Sequence, residues 1–376
     1  MNPSRYFDHA ATSFPKHAAV VDAMVAHLRE RAGNPGRGSY PLAAAAAGEI
    51  VQARLIAASL FDADAERVLL LPSATHALNL AITGTLKPGD RVVTTSIEHN
   101  ALARPLARAA DQGVTVDVIE AQSDGRVDPD HFRRARGARL VAVTAGSNVL
   151  GARLDLKAIR AAIGPEPLLC VDAAQTAGVL PLRLGDAAID LLAIPGHKSL
   201  GGPSGTGLLC CSARVELEPL IEGGTGGNSE PRRTPPLFPD GFEAGTPNGP
   251  GIAGLLAALE LVDDRGLPER FAERMALWQE LVEGLRSITG LIIRSCTDPE
   301  IALPLVSFEH PASTPGELAW RLGEAGFAVR AGLHCAPGAH RAAGTIDRGL
   351  VRASLGPAHT REDIEAFVNA VRQVVS

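Results

Sequence analysis

A lysine near the middle of the chain follows an apolar, strand-like run and is flanked by glycines. The run 191–194 leads through Pro195 and a Gly-His pair to Lys198, and the glycine-rich segment 201–207 comes next. A lysine that loses hydration at the end of a buried strand has a lowered pKa, and its neutral amine can form a Schiff base with an aldehyde. Glycines beside it let the backbone approach a ligand closely. The alternative interpretation is a solvated lysine in an ordinary glycine-rich loop.

An aspartate and a polar turn stand at two other points where a buried strand would end. Asp172 follows the apolar run 168–171, where an ionised carboxylate needs a partner or a solvated cleft. Such a carboxylate suits a pyridinium N–H, which it keeps protonated so that the ring withdraws electrons. Ser73 and Thr75 follow the run 68–71, and a strand followed by a polar turn and a helix start is typical of a phosphate site. For both the aspartate and the turn, the alternative is an ordinary helix N-cap.

A histidine and an arginine lie in similar settings. His99 comes shortly after the predicted strand 91–95 and is either stacked on an aromatic ring or an ordinary loop histidine. Arg352 interrupts the apolar run 350–355, where a guanidinium can bind a carboxylate through two hydrogen bonds. The alternative for Arg352 is a surface ion pair on an edge strand.

One of the five cysteines differs from the others in its surroundings. Cys335 lies in a loop framed by Gly332 and Pro337, with Arg330 and His334 close in sequence, and basic neighbours favour the nucleophilic thiolate. The other four are scattered and form no CxxC pair, which argues against a disulfide framework and a structural zinc site. Cys170, Cys210 and Cys211 are interpreted as small buried side chains. Cys296 carries no further signal.

The elements that must position these residues alternate between apolar runs and helical stretches. Continuous apolar strands separated by helices predict an α/β fold with a mostly parallel sheet covered on both faces. Ligands of such sheets bind at the carboxyl ends of the strands. The glycine- and proline-rich segment 222–251 predicts a long functional loop. Helices are predicted over 252–262 and 271–288, residues 301–376 predict a smaller α+β unit, and we expect a boundary near residue 255.

The charge and hydropathy of the chain limit the classes of function. The 376 residues include 36 basic and 42 acidic side chains, for a formal net charge of −6, without the basic footprint of a nucleic-acid-binding protein. We find no secretory leader, and no apolar run approaches the ~20 residues that a membrane helix needs. We therefore expect a cytoplasmic protein that binds neither nucleic acid nor membranes, and we predict no metal site.

Taken in order along the chain, these motifs resemble those of the cysteine desulfurases in the class V aminotransferase fold group. No single motif is specific, but the combination is, and the similarity covers essentially the whole chain. The matching segments are residues 6–12, 98–100, 172–175, 196–198, 242–248, 330–336 and 351–355.

The resemblance implies the type I fold of pyridoxal-phosphate-dependent transferases, an α/β fold with two domains. A large cofactor-binding domain with a mostly parallel mixed sheet would span residues 1–255, and its segment 1–15 would pack near the small domain. A small α+β C-terminal domain, residues 256–376, would carry Cys335 and Arg352.

The resemblance also implies pyridoxal 5'-phosphate as cofactor and suggests a role for each motif. Lys198 would hold the cofactor as a Schiff base, Asp172 would pair with the pyridine nitrogen, and Gln175 would pair with the ring hydroxyl. His99 would stack on the ring face and relay protons. The phosphate would be bound by Ser73, Ala74, Thr75 and His197.

Other implied roles concern the substrate and the oligomer. Thr246 is similar to the residue that reaches the phosphate of a neighbouring subunit, which implies a homodimer with shared sites. Arg352 would hold the substrate carboxylate, with Asn148 as a second substrate-binding residue. Cys335 is similar to the cysteine that forms a persulfide.

Three positions depart from the family pattern. Family members often carry a hydroxyl side chain at the positions of Ala74 and Pro195, so that backbone N–H groups and Thr75 would have to replace those phosphate contacts. An asparagine often stands where this chain has His359, which affects substrate contacts but neither the lysine nor the cysteine.

The implied reaction converts L-cysteine into L-alanine and leaves the sulfur on Cys335 as a persulfide. The Lys198 amine would remove the Cα proton, and the Cys335 thiolate would attack the substrate sulfur. A protein that accepts the sulfur is a further implied partner. The alternatives are a selenocysteine lyase, in which Cys335 matters less, an aminotransferase or C–S lyase that forms no persulfide, and a catalytically silent scaffold that binds sulfur-relay partners.

Overall fold

The computed structural model describes residues 2–36, 38–225, 230–263 and 266–376, which form two β-sheets with helices packed on them. Within these residues the strands of the first sheet are β1 (Val68–Leu71), β2 (Arg91–Thr95), β3 (Thr115–Ile119), β4 (Leu140–Thr144), β5 (Leu168–Asp172), β6 (Leu191–Pro195) and β7 (Gly207–Cys211). Their order across the sheet is β1-β7-β6-β5-β4-β2-β3.

The first sheet is mostly parallel. Neighbouring strands from β6 through β5, β4 and β2 to β3 are parallel, whereas β7 is antiparallel to both β6 and β1. The predicted α/β class with a mostly parallel mixed sheet is therefore confirmed. Sequence reasoning missed β3, because this edge strand places polar and partly exposed residues such as Thr115 and Asp117 among its valines.

Helices cover both faces of this sheet. They are α1 (Ala18–Ala26), α2 (Pro41–Phe61), α3 (Ala74–Thr85), α4 (Asn100–Asp111), α5 (Leu156–Ile163) and α6 (Gly249–Asp263). Successive residues of a strand point to opposite faces, so Leu208 joins the apolar cluster on one face and Leu209 joins the cluster on the other. Burial on both faces explains why the strands form continuous apolar runs in the sequence.

The second sheet is smaller and antiparallel. Its strands are β8 (Ile292–Ile293), β9 (Leu305–Glu309), β10 (Arg330–Gly332) and β11 (Leu350–Ser354), in the order β10-β11-β9-β8. The helices of this part are α7 (Leu267–Arg286), α8 (Pro315–Glu324), α9 (Pro337–Ala342) and α10 (Arg361–Val375). Trp278, Phe308 and Phe367 lie in one buried cluster between sheet and helices.

The predicted boundary near residue 255 falls inside α6. Leu255, Leu259 and Val262 of this helix belong to the apolar cluster of the first sheet, which favours a boundary after residue 262. The division into domains stays a prediction. The predicted helices over 252–262 and 271–288 correspond to α6 and α7, and part of the predicted loop 222–251, residues 226–229, lies outside the described residues.

The N-terminal segment crosses from one sheet to the other. Tyr6 forms a β-bridge with Ala328, and Asp8 forms one with Ser354 at the end of β11. Beyond these bridges, the side chain of Thr12 and the backbone N–H of Ser13 donate to the carbonyl of His197, next to β6. The segment therefore touches both halves of the molecule.

By length and composition α2 could cross a membrane, with a mean hydropathy of 1.3 over its most apolar window. The expectation that no run approaches that length was therefore wrong for this helix. Its two charged residues are paired within the fold: Glu49 accepts from His27, and Arg54 pairs with Glu243.

Candidate active site

Four of the predicted clusters meet at one edge of the first sheet. Asp172 ends β5, Lys198 follows β6, and His99 follows β2. These three strands run in the same direction, so their carboxyl ends lie at the same edge. β1 is antiparallel to β7 and hence parallel to β6, which brings the turn at Ser73 to this edge as well.

Lys198 is partly buried, and its amine has no hydrogen bond to another described residue. Burial lowers the pKa of Lys198 to about 8; the Asp172 carboxylate opposes this shift, and the guanidinium groups of Arg352 and Arg330 add to it. A substantial fraction of the amine is therefore neutral near pH 8, as a nucleophile or base must be.

Asp172 and Glu98 are two buried carboxyl groups that interact with each other, and Asp172 also interacts with Lys198. Asp172 is 2% exposed and accepts a hydrogen bond from the Ala174 N–H at 2.9 Å. Burial raises the pKa of Asp172, and the Ala174 N–H and the Lys198 charge oppose this. Glu98 is also buried; burial raises the pKa of Glu98 to about 8, and Asp172 contributes to the increase. A bound cation or N–H group beside Asp172 would stabilise its ionised form.

Glu98 received no role from the sequence, although it stands directly before His99. Its Oε1 accepts from the Thr95 hydroxyl at 2.5 Å, and its Oε2 is buried without a partner among the described residues. A carboxyl group next to the end of an apolar strand was a signal that could have identified it.

His99 caps α4 and is held in one tautomer. Its Nδ1 accepts the Ala101 N–H at 3.0 Å, so that the proton of the neutral ring lies on Nε2. Burial is the main cause that lowers the pKa of His99 to about 4, and the charges of Lys198 and Arg330 contribute to this shift. His99 is therefore neutral at physiological pH.

The turn at the start of α3 has the features of an anion site. Ser73 accepts the His76 N–H, and the preceding N–H groups of Ala74 and Thr75 belong to the first helical turn, which has no intrahelical acceptors. A Cβ atom on Gly207 would lie 2.6 Å from the Ser73 carbonyl carbon, so only glycine permits this approach. Thr246 lines a cavity of about 300 Å³ together with His76 and Gly207.

The N-terminal segment holds two other predicted cofactor residues. Gln175 donates to the Ala10 carbonyl at 3.1 Å, and Nδ1 of His197 lies 3.0 Å from the Thr12 hydroxyl. Burial lowers the pKa of His197 to about 4, and the neighbouring charges of Lys198 and Lys16 contribute. Sequence reasoning gave Thr12 and Lys16 no role.

Arg352 is the most deeply buried charge of the site, at 1% exposure. Its Nη2 donates to Asp8 Oδ1 at 2.7 Å, and its Nη1 donates to the Asn148 carbonyl at 3.0 Å. Its Nε is buried and has no acceptor among the described residues. The guanidinium is thus held by two partners and keeps three of its five N–H donors, Nε–H among them, for a ligand carboxylate. Asp8 was missed as a functional residue, although it lies in a motif that matched the family.

Cys335 is exposed, whereas the other four cysteines are buried, which confirms the interpretation of Cys170, Cys210 and Cys211 as buried side chains. Its loop has an unusual backbone: His334 and Cys335 have φ angles of 51° and 56°, in the left-handed region that non-glycine residues rarely adopt.

Two asparagines hold the Cys335 loop in this conformation. The Asn148 amide donates to the His334 carbonyl at 2.8 Å, and the Asn100 N–H donates to the Cys335 carbonyl at 2.7 Å. Asn148 therefore contacts both Arg352, through its carbonyl, and the cysteine loop, through its side chain.

Arg330 links Cys335 to the surroundings of Lys198. Arg330 lies opposite Arg352 across strands β10 and β11, and its Nη2 is 3.9 Å from Cys335 Sγ. The same Arg330 charge lowers the pKa of Lys198 and of His99. The contact between Asn100 and the Cys335 carbonyl joins the loop to the start of α4, directly beside His99.

The three departures from the family pattern lie in different places. His359 packs against Phe7 at 4.3 Å between ring centroids and accepts the Gly356 N–H, so it supports the N-terminal segment. Pro195 is buried at the end of β6 opposite Gly207, and Ala74 is buried in the first turn of α3.

The donor set fits pyridoxal phosphate on its chemistry. It contains a partly desolvated lysine, a buried aspartate and a neutral histidine. It also contains the N–H groups at the start of α3, which Gly207 approaches more closely than a residue with a Cβ could. Within the part of the chain that the structure describes, no group of three His, Cys, Asp or Glu side chains is arranged to hold a metal ion.

The family model for aminotransferase class-V matches residues 5–367. A probable cysteine desulfurase of Methanothermobacter thermautotrophicus is 35% identical over 98% of this chain and 94% of that protein. A probable cysteine desulfurase of Pyrococcus abyssi is 31% identical over the same shares.

Solved structures give the same result for the fold. The apo structure of a cysteine desulfurase from Thermococcus onnurineus superposes with a TM-score of 0.93, at 30% identity over 98% of this chain and 94% of that one. A cysteine desulfurase of Escherichia coli gives a TM-score of 0.88 at 29% identity, with the same shares covered. The predicted fold class is confirmed by these similarities.

Proposed function

This chain belongs to the aminotransferase class-V family, and from that premise we propose that it is a pyridoxal-phosphate-dependent cysteine desulfurase that converts L-cysteine into L-alanine and transfers the sulfur to Cys335. One observation carries the proposal. An exposed cysteine in a strained, hydrogen-bonded loop contacts Arg330, whose charge also acts on a lysine with a pKa lowered to about 8.

The cofactor would be held by residues of the first sheet and its turns. The N–H groups of Ala74 and Thr75, with Ser73, His197 and Thr246, would bind its phosphate. The ring would be held by Asp172 at the nitrogen, Gln175 at the hydroxyl, His99 on one face and Lys198 at the aldehyde. When bound, pyridoxal phosphate supplies an aldehyde for amines and a ring that stabilises negative charge at the substrate Cα.

The substrate carboxylate would bind to Arg352. The buried Nε has no other acceptor among the described residues, while Asp8 and Asn148 fix the rest of the guanidinium. Two hydrogen bonds from one guanidinium orient a carboxylate as well as bind it. This contact would set the direction in which the substrate sulfur points.

Proton transfers would involve Lys198 and His99. The neutral amine of Lys198 would take the Cα proton, and its pKa near 8 suits a base that works at neutral pH. His99 stays neutral and keeps its Nε2 proton, so it would donate a hydrogen bond from that atom and orient the group that exchanges the proton with Lys198.

Cys335 would act as the nucleophile. Its thiolate attacks the substrate sulfur, an S–S bond forms, the Cβ–S bond breaks, and the electron pair of that bond stays on carbon, which is then protonated. L-Cysteine and the thiol thus give L-alanine and a persulfide, and no external oxidant or reductant is needed. The exposure of Cys335 would then allow a thiol of an acceptor protein to remove the sulfur.

A homodimer is the assembly that we propose. Exposed apolar side chains on α1, just after it and on α2 are here called the apolar face: Val21, Val25, Leu28, Leu42, Val51 and Leu55. Val51 and Leu55 also line a cavity of about 650 Å³ together with Gly245 and Thr246. A second copy covering this apolar face would lie beside Thr246, as a shared phosphate site requires.

The oligomeric state tests the assembly directly. Light scattering after size exclusion should give a dimer for the wild type and a smaller species for Leu55→Glu. The matched control is Val118→Glu, which changes an exposed valine on the edge strand β3 and should stay dimeric. A monomeric wild type, or an unchanged dimer in Leu55→Glu, would reject the proposed interface. A cytoplasmic location stays a prediction.

Product analysis tests the function. The holoenzyme given L-cysteine and a thiol reductant should produce alanine and sulfide in equal amounts. Cys335→Ala should lose this activity while it retains the cofactor, and Cys296→Ala, which changes a buried cysteine, should keep it. Pyruvate with ammonia, or exchange with a keto acid, would indicate a C–S lyase or an aminotransferase. Turnover of selenocysteine alone would indicate a selenocysteine lyase.

A further inference from the structure

Arg274 on α7 is a buried cation without a counter-charge. It is 6% exposed, its Nε has no acceptor, and no hydrogen bond or ion pair joins its side chain to another described residue. Burial lowers the pKa of Arg274 to about 10, so it keeps its charge at neutral pH. A buried charge without a partner is strongly unfavourable, which implies that something compensates it.

The charges on the helix of Arg274 do not compensate it. The neighbouring, exposed Glu273 raises the pKa of Arg274, but Arg270, one turn earlier, lowers it by more.

The surroundings of Arg274 contain a small cavity, which has a volume of about 20 Å³. Its polar lining comes from Arg274, His9, Gln175, Ser199 and Ser354, and none of the described lining residues is acidic. Nδ1 of His9 is a second buried atom without a partner here. Burial lowers the pKa of His9 to about 3, so this ring is neutral. The cavity therefore combines one unpaired cation with neutral polar groups.

We propose that this cavity binds a single small inorganic anion of halide size. A site of this volume accommodates one water-sized particle. A neutral water would leave the Arg274 charge uncompensated, whereas an anion provides the missing counter-charge, and the Ser199 hydroxyl and Gln175 amide are available as neutral donors.

The position of the cavity gives the anion a structural role. His9 belongs to the N-terminal segment, Gln175 and Ser199 follow strands β5 and β6, Arg274 lies on α7, and Ser354 ends β11. An anion here would connect the two sheets behind the cleft, next to Lys198. Because it binds only the folded arrangement, it would stabilise the protein in proportion to the logarithm of its concentration once the site is saturated.

The test measures thermal unfolding of the holoenzyme in potassium chloride or bromide against potassium gluconate at constant ionic strength. The wild-type Tm should rise by about 2 °C or more at a hundredfold excess of halide over its Kd. Arg274→Met should lose this dependence. The control is Arg286→Met, which removes an exposed arginine of the same helix and should keep it.

A second measurement does not depend on whether Arg274→Met folds. Wild-type crystals grown in bromide should show an anomalous peak beside Arg274 and Ser199. A Tm independent of halide at constant ionic strength, an equal halide effect in Arg274→Met, or bromide crystals without a peak in this cavity would overturn the proposal and assign the space to water.

Discussion

Arg352 and Asp8, 344 residues apart in the chain, form an ion pair of 2.7 Å at the cleft. The pair leaves Nε of Arg352 free, so Asp8 orients the guanidinium and does not consume all of its donors. Asp8→Asn removes the charge that holds this orientation. We expect KM for L-cysteine to rise about tenfold, the scale of one hydrogen bond to a charged group, with a smaller change in kcat.

Steady-state kinetics with Arg352→Lys provides the comparison for this prediction. Lysine cannot reproduce the two-donor contact, so this variant should lose more of kcat/KM than Asp8→Asn. Arg341→Lys, at an exposed position, is the control. A lower KM in Asp8→Asn would mean that Asp8 competes with the substrate and does not position Arg352.

Lys198 should be the attachment point of the cofactor and the acceptor of the Cα proton. Lys198→Ala should reduce kcat at least about 10²–10⁴-fold, the usual contribution of a positioned base. Borohydride reduction followed by peptide mass spectrometry should find the cofactor on the Lys198 peptide of the wild type and of Lys157→Ala, an exposed control. Labelling of Lys16, the other amine whose pKa is lowered to about 8, would contradict the assignment.

Asn148 should couple substrate binding to the nucleophile. Asn148→Ala leaves the buried His334 carbonyl without its donor at 2.8 Å, which costs about 1–3 kcal/mol and frees the strained loop. We expect kcat to fall about tenfold or more and the alkylation rate of Cys335 by iodoacetamide to change, with cofactor content unaltered. Asn369→Ala, on the surface of α10, should match the wild type. Loss of cofactor with an unchanged alkylation rate would place Asn148 elsewhere in the mechanism.

Glu98 should make stability depend on pH in a defined direction. Burial raises the pKa of Glu98 to about 8, so its favourable contribution, complete below pH 4.5, is lost as the pH rises through 8. Glu98→Gln carries no titrating group. Its free energy of unfolding should become larger relative to that of the wild type between pH 5.5 and 8.5, by up to about 1.4 kcal/mol per pH unit. Urea unfolding at both pH values measures this, and the opposite trend would show that Glu98 is ionised in the folded protein.

The sequence predicted the position of a residue in the fold where a single strand and its end define that position. Lys198 and Asp172 follow apolar runs, which made them candidates, and the resemblance to the family gave each of them a role. Asp8 could not be assigned in this way, because its role depends on a partner in the last strand of the second sheet. The edge strand β3 was missed because exposure on one side removes the apolar signal on which the other strands were recognised.

Arg274 shows a different limit of sequence reasoning. Its neighbours follow an amphipathic helical pattern, and only the packing of α7 against the N-terminal segment and both sheets reveals that this charge is buried. A buried arginine and a surface arginine look alike in such a pattern.

The most direct test of the central claim is the mass of Cys335 after the holoenzyme has reacted with L-cysteine in the absence of reductant. We predict an increase of about 32 Da, one sulfur atom, on the peptide that contains Cys335, together with one equivalent of alanine. A wild-type enzyme that releases alanine while Cys335 keeps its original mass, or a Cys335→Ala variant with full activity, would contradict the account.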